Sequence, residues 1–277
     1  MLSLTLQKIK QDMFQEKNQI LWNKKIGPSY YRIGIKCHRG YSDAQPGQFI
    51  MLGFGDQTAP LLRRPFSIHR LVTTDSHGQG VEILYKIVGT CTKKLSFYKK
   101  GDIIGVLGPL GSHFLIPDTI GRIFMVAGGV GIAPMVFLAS SLQKKGVDLS
   151  KCMVFNGGRS KDDLLCGDHF FTLGMSVNTT TDDGSAGKKG FVTDIVSAAI
   201  KEHRPDMIYA CGPTPMLKAV TQMTEIYAVP CQVSIETMMA CGMGACLGCA
   251  VESRKDSDRY FHACADGPVF NASILKI

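Results

Sequence analysis

The chain has 277 residues, 45% of them hydrophobic and 19% charged, with a formal net charge of +8. This length and apolar content support two cored domains plus a small appendage. The basic residues are dispersed as short pairs (Lys24–Lys25, Arg63–Arg64, Lys93–Lys94, Lys99–Lys100, Lys188–Lys189) and form no single basic face with interleaved aromatics, which speaks against nucleic acid and for anionic cofactors or an acidic partner surface.

The N-terminal MLSLTLQKIKQDMF alternates apolar residues but lacks an apolar run long enough for a signal. No window of the chain reaches the ~18 apolar residues of a membrane helix. Residues up to about 115 read as all-β. Runs at Tyr31–Lys36, Gln48–Phe54 and Val81–Val88 carry β-branched and aromatic residues, and turns such as Pro46-Gly47 and Gly101-Asp102 separate strands at the spacing of a small barrel. Within this region Arg63-Arg64-Pro65-Phe66-Ser67-Ile68 sets an arginine beside a Pro-fixed turn. A guanidinium there can reach a phosphate, and Ser67 a flavin edge; a solvated Arg pair before a strand is the plainer alternative. Farther on, Gly89-Thr90-Cys91-Thr92 opens a short helix whose first amides suit a phosphate. Gly108-Pro109-Leu110-Gly111 then closes the barrel, either as a structural turn or as a close backbone approach to a cofactor.

From about residue 120 strand and helix alternate. Strands are expected at Arg122–Ala127, Cys152–Asn156, Ser176–Thr180 and Met207–Cys211, and helices at Ile132–Lys145, Asp162–Phe171, Val192–His203 and Pro215–Tyr227. That order argues a parallel sheet with helices on both faces. Gly128-Gly129-Val130-Gly131-Ile132-Ala133-Pro134 follows a buried strand and opens a helix, although it is not the GxGxxG fingerprint. Cys211-Gly212-Pro213 ends a second strand at the same sheet edge, and two glycine turns on one crevice point to a nicotinamide nucleotide. Arg159-Ser160 suits the 2′-phosphate of NADP while Asp162 and Asp163 repel it, so NAD and NADP both stay open. No Ser/His/Asp triad and no HExxH occur, the seven histidines lack metal spacing, and no catalytic acid or base is expected.

The tail carries Cys241-x4-Cys246-x2-Cys249-x14-Cys264, the plant-ferredoxin spacing for a [2Fe–2S] cluster. Gly242, Gly244, Ala245, Gly248 and Ala250 keep the loop small enough to lie against an inorganic core with its amides aimed at sulfur. Zinc is the alternative, but only Cys246 and Cys249 have knuckle spacing. The other six of the ten cysteines (Cys37, Cys91, Cys152, Cys166, Cys211, Cys231) are scattered without a disulfide framework, which fits a reducing cytoplasm.

Taken together, RRPFSI, GTCTKKLS, GPLG, GGVGIAP, CGP and CGMGACLGC resemble the ferredoxin-reductase superfamily from about Pro46 to Phe270. The wording of the cysteine loop, with Asp266-Gly267-Pro268-Val269-Phe270, is most similar to the electron-transfer subunits of NAD-dependent (class 1B) dihydroorotate dehydrogenases. The resemblance implies a FAD-binding β-barrel at 1–117, a NAD-binding α/β open parallel-sheet domain at 118–230 and a small C-terminal [2Fe–2S] domain at 231–277. It implies that Arg64, Pro65, Phe66 and Ser67 contact FAD, that Lys86, Ile87 and Val88 line its ring or ribitol, and that Gly89, Thr90 and Thr92 meet its phosphates. NAD falls to Gly128, Gly129, Gly131, Cys211, Gly212 and Pro213, and the cluster to Cys241, Cys246, Cys249 and Cys264. One departure is Cys91, where relatives usually carry Gly. The implied activity is an electron relay in pyrimidine biosynthesis: an FMN-containing catalytic subunit, the partner in a heterotetramer, oxidises dihydroorotate, and its electrons reach NAD+ through the cluster and FAD. Met238–Leu247, apolar and Met-rich, is the candidate partner surface. Two alternatives stay open: an FAD/[2Fe–2S] subunit of a ferredoxin:NADP+ transhydrogenase, sulfite reductase or hydrogenase, and a zinc-bound interaction module.

Overall fold

The computed structural model describes residues 13–54, 60–74 and 78–277. The alternating N-terminal stretch lies, apart from its last two residues, outside the described residues. Six antiparallel strands close a barrel: β1 (Phe14–Lys25), β2 (Tyr30–Lys36), β3 (Phe49–Gly53), β4 (Arg64–Thr74), β5 (Gly78–Lys86) and β6 (Ile103–Leu110), in the order β1-β2-β5-β4-β3-β6. Alternation sets which residues face inward. Along β1 exposure falls and rises with period two from Phe14 to Ile20, and Ile20 meets Ile33, Ile35, Ile83 and Val106 in the barrel core. A short helix, α1 (Thr90–Leu95), follows β5.

The second domain is a seven-stranded sheet. Its parallel strands are β7 (Ile123–Gly128), β8 (Met153–Gly158), β9 (Ser176–Thr181), β10 (Lys188–Lys189), β11 (Met207–Cys211) and β12 (Cys231–Ser234). Helix α2 (Ile132–Lys144) packs on one face with α3 (Gly167–Thr172); α4 (Val192–Glu202) and α5 (Thr214–Ile226) cover the other. Burial on both faces is why β7 reads as the unbroken apolar run Ile123–Ala127. The helix expected over Asp162–Phe171 is instead a 3-10 turn, Lys161–Asp163, and α3. Cys166 parts them, with φ of 63°.

The tail is sewn into this sheet. Cys231, expected to open the cluster segment, begins β12 beside β11. After the hairpin β13 (Ala250–Glu252) and β14 (Tyr260–His262), the chain returns as β15 (Val269–Asn271), antiparallel to β12 at the sheet edge. The barrel exit is tied to the same tail. Ser112 Oγ donates to Val269 O at 2.8 Å, and Leu115 O accepts from Gln232 Nε2 at 2.8 Å and Tyr209 Oη at 2.9 Å. Gly108 to Leu110 form the end of β6 rather than a turn, and the close backbone approach at Gly111 is to Gly267 and Pro268 of the tail. Barrel and sheet dock through α2, whose Phe137 sits in the barrel core and whose Ala133 carbonyl meets His69 Nδ1 at 3.2 Å. No helix among the described residues is long and apolar enough to cross a membrane.

Candidate functional site

A cavity of about 460 Å³ opens where barrel, sheet and tail meet, within the range of small-molecule sites. Of the residues singled out for FAD, Arg64, Pro65, Phe66, Ser67, Lys86, Val88, Gly89, Thr90 and Thr92 line it; Ile87 does not. Strand β4 delivers the first four, and the end of β5, the turn after it and α1 deliver the rest, because β4 and β5 are neighbours in the barrel. Arg64 Nη1 donates to the carbonyls of Leu62 and Arg63 at 3.0 and 3.1 Å, which fixes the guanidinium at the cavity mouth. Thr92 Oγ1 accepts from the amides of Val88 (2.9 Å) and Gly89 (3.1 Å), so that hydroxyl shapes the turn and those two amides are already satisfied. Cys91, the departure from relatives, turns its buried side chain toward the barrel core and leaves α1 regular.

The two glycine turns touch. A side chain at Gly131 would collide with the carbonyl of Cys211, and one at Gly212 would meet the amide of Gly128 at 3.0 Å. Only glycine lets the ends of β7 and β11 close to that distance, and there the crevice at the carboxyl ends of the strands begins. Cys211 also lines the cavity; Gly128, Gly129, Gly131, Gly212 and Pro213 lie outside its wall. Burial pushes the Cys211 thiol up to about 12, so it is neutral there.

Sequence reading missed the wall contributed by the tail: Ser234, Ile235, Glu236, Thr237, Met239 and Pro268. Glu236 is exposed to the open cavity, and the protein around its carboxyl raises it above the ordinary value. Thr237 Oγ1 is buried at this wall with no partner, as fits a cavity completed by a polar ligand. Scattered polar residues in a connector carry no motif, so only the following cysteine spacing hinted that this segment mattered.

The four tail cysteines converge around one loop. Cys249 Sγ and Cys264 Sγ lie 3.2 Å apart, Gly244 N donates to Cys264 Sγ at 3.1 Å, and Cys246 N to Cys241 Sγ at 3.4 Å. Burial opposes ionisation of Cys241, but the amides of Met243 and Cys246 outweigh it and draw the thiol down to about 6. Cys264 is pushed up to about 12 by burial and by the shared hydrogen with Cys249. Gly242, at φ +75°, lets the loop sit on the barrel: a Cβ there would lie 2.6 Å from Met51 Cγ. Met51, Phe49 and Met239 share one apolar cluster with Cys249 and Cys264, and Phe49 and Met239 also line the cavity.

Residues 236–276 match the iron–sulfur cluster binding domain of dihydroorotate dehydrogenase B, and residues 125–222 the oxidoreductase NAD-binding domain. The electron transfer subunit of dihydroorotate dehydrogenase B (NAD(+)) from Caldanaerobacter subterraneus subsp. tengcongensis is 40% identical over 260 residues, 92% of this chain and 95% of that protein. The chain belongs to the family of dihydroorotate dehydrogenase B electron transfer subunits. The family member from Listeria monocytogenes serovar 1/2a is 36% identical over 272 residues, 96% of this chain and all of its own length (100%). Among solved structures, an NADH-dependent reduced ferredoxin-NADP oxidoreductase superposes with a TM-score of 0.81 at 33% identity, over 94% of this chain and 89% of that one. A ferredoxin NADP+ reductase from Neisseria gonorrhoeae, at 19% identity and a TM-score of 0.64 over 77% and 91% of the two chains, shares the fold. Like the family, this chain is an oxidoreductase subunit that joins a six-stranded barrel, a NAD-binding sheet and an iron–sulfur tail.

Proposed function

We propose that this chain is the electron-transfer subunit of a cytoplasmic, NAD+-linked dihydroorotate dehydrogenase of pyrimidine biosynthesis, paired with an FMN-containing catalytic subunit in a heterotetramer. The observation that carries the reading is the shared wall: Phe49 and Met239 face the cavity and pack with the cluster cysteines Cys249 and Cys264. Two cofactor sites separated by one layer of apolar side chains make a relay, and no general acid or base is needed between them. Bound there, a [2Fe–2S] cluster exchanges single electrons, and FAD converts two of them into the hydride that NAD+ accepts.

In this assignment Arg64 holds the FAD pyrophosphate beside Gly89, Thr90 and Thr92, while Pro65, Phe66, Ser67 and Lys86 to Val88 flank the rest of the cofactor. The touching turns Gly128 to Gly131 and Cys211 to Pro213 seat NAD, and Cys241, Cys246, Cys249 and Cys264 hold the cluster. The chain divides as 1–117, 118–230 and 231–277 by the cofactor each part serves. The opposite side of the cysteine loop is open: Met238 is 90% exposed, and Met243, Cys246 and Leu247 are exposed with it. That side is where the catalytic subunit delivers electrons.

The likeness to the NADH-dependent reduced ferredoxin-NADP oxidoreductase supports a second reading, a subunit that exchanges electrons with ferredoxin and NADP. One assay series separates the two. The purified chain should oxidise NADH with an artificial dye, and should convert dihydroorotate only when the catalytic subunit is added. Dihydroorotate turnover by the chain alone, or failure to support it with the partner present, overturns the relay assignment.

A further inference from the structure

A carboxylate without a part in that relay sits where the two large domains meet. Asp163 is 6% exposed and closes the 3-10 turn after β8. Its Oδ1 accepts from Lys86 Nζ at 2.7 Å and from the hydroxyl of Tyr30. Its Oδ2 accepts from the amide of Arg159 at 3.1 Å and from Arg159 Nε at 3.2 Å. Tyr30 and Lys86 are paired across β2 and β5, and the Lys86 ammonium lies 4.7 Å from the Tyr30 ring centre. The acid therefore comes from the nucleotide domain and the lysine from the barrel.

Docking does not require this arrangement, because α2 already joins the domains through Phe137 and the His69–Ala133 contact. A buried ion pair is also a weak source of stability, since desolvation of both charges offsets most of their attraction. What the contact does fix is the position of a long, flexible cation carried by a residue of the cavity wall. Burial disfavours the ionised acid, yet the bonds from Lys86, Tyr30 and Arg159 hold Asp163 well below the usual carboxylate range, so the lysine faces a permanent negative charge.

We infer that Asp163 is a positioning residue: reaching across the domain boundary, it pins Lys86 at the cavity wall and compensates the charge that wall presents to FAD. The inference rests on the reading of the cavity as the FAD site. Without the carboxylate, the wall gains an uncompensated cation, which favours the more negative, reduced state of the cofactor.

The test is the midpoint potential of FAD in the full chain, read by spectroelectrochemistry, with FAD affinity followed in parallel by fluorescence. Asp163→Asn should favour reduced over oxidised FAD roughly tenfold, a rise of about 30 mV for a two-electron couple. Asp163→Glu, which keeps the charge, should hold most of the original potential. The double variant D163N/K86M should remove the rise. Lys86→Met alone should lower the potential, and that shift decides between the outcomes if the Asn variant does not fold. A potential unmoved in both single variants, or a rise that survives in the double variant, overturns the role of Asp163 while leaving the FAD site standing. A wild-type chain that takes up no FAD removes that site and this role together.

Discussion

Cys246 is the exposed member of a cysteine set whose partners Cys249 and Cys264 are buried. Replacing it with Ser should abolish the [2Fe–2S] signal in electron paramagnetic resonance of the reduced protein. Cys152→Ser, a buried position just ahead of β8, should leave that signal intact, and the opposite pattern reassigns the ligands. Arg64→Ala removes a charge-assisted contact of about 1.5–3 kcal/mol, so FAD should bind ten- to a hundredfold more weakly. Full flavin retention through dilution and gel filtration would take Arg64 out of the site; Arg63, whose stem packs over Gly53, is the control. Cysteine spacing and an arginine before a proline are local patterns, which is why these residues could be singled out in the sequence, although Arg64 and Pro65 open β4 rather than a turn. Asp163 and Lys86 were not read as a pair, since 77 positions separate them and only the docking of two domains brings them together. Glu236 and Thr237 escaped for a similar reason: their cavity exists only once the tail has folded back.

At the scale of elements, the clearest case is β4 against α2. His69 on β4 is fully buried against the Ala133 carbonyl, and burial, with Arg70 beside it, pushes the imidazole down to about 3. An unfolded histidine titrates near 6.5, so below that pH the unfolded chain takes up a proton that the folded one refuses. Stability from this group is therefore complete above about pH 6.5 and drains away as the pH falls toward 3. Between pH 6.5 and 5 the loss should reach about 2 kcal/mol, read from urea midpoints, and His69→Gln should flatten that slope. Equal slopes in the two proteins would show that another group sets the acid limit. Buried strands and long helices were readable, because β7 is apolar throughout and the predicted Ile132–Lys145 differs from α2 by one terminal residue. The segment 162–171 was not, since its helical composition is interrupted by the left-handed Cys166, a position that no propensity marks.

For the whole molecule, the order of barrel, parallel sheet and cysteine tail could be read from changes in texture along the chain. The attachment of the tail could not, because the short runs Cys231–Ser234 and Val269–Asn271 gain meaning only beside β11 and each other. The cluster loop presents one face to Met51 and the cavity wall and the other to solvent. Met243→Asp, on the solvent face, should weaken binding of the catalytic subunit, measured by co-purification, and spare NADH:dye activity. Loss of both together would mean that Met243 supports the cluster itself. The return of the tail as β15 also bears on how such a protein can be built. An iron–sulfur unit hung on a linker could be traded between enzymes or swing between donor and acceptor. Here its two ends are strands of the sheet that binds the nucleotide, and a cut before Cys231 would strip two of seven strands and take Val233 and Phe270 out of the sheet's core. The cluster is therefore no detachable cartridge and no swinging arm. It is held in a fixed mount, so electrons meet it at one distance in every turnover, and the two ends of the relay must be inherited together.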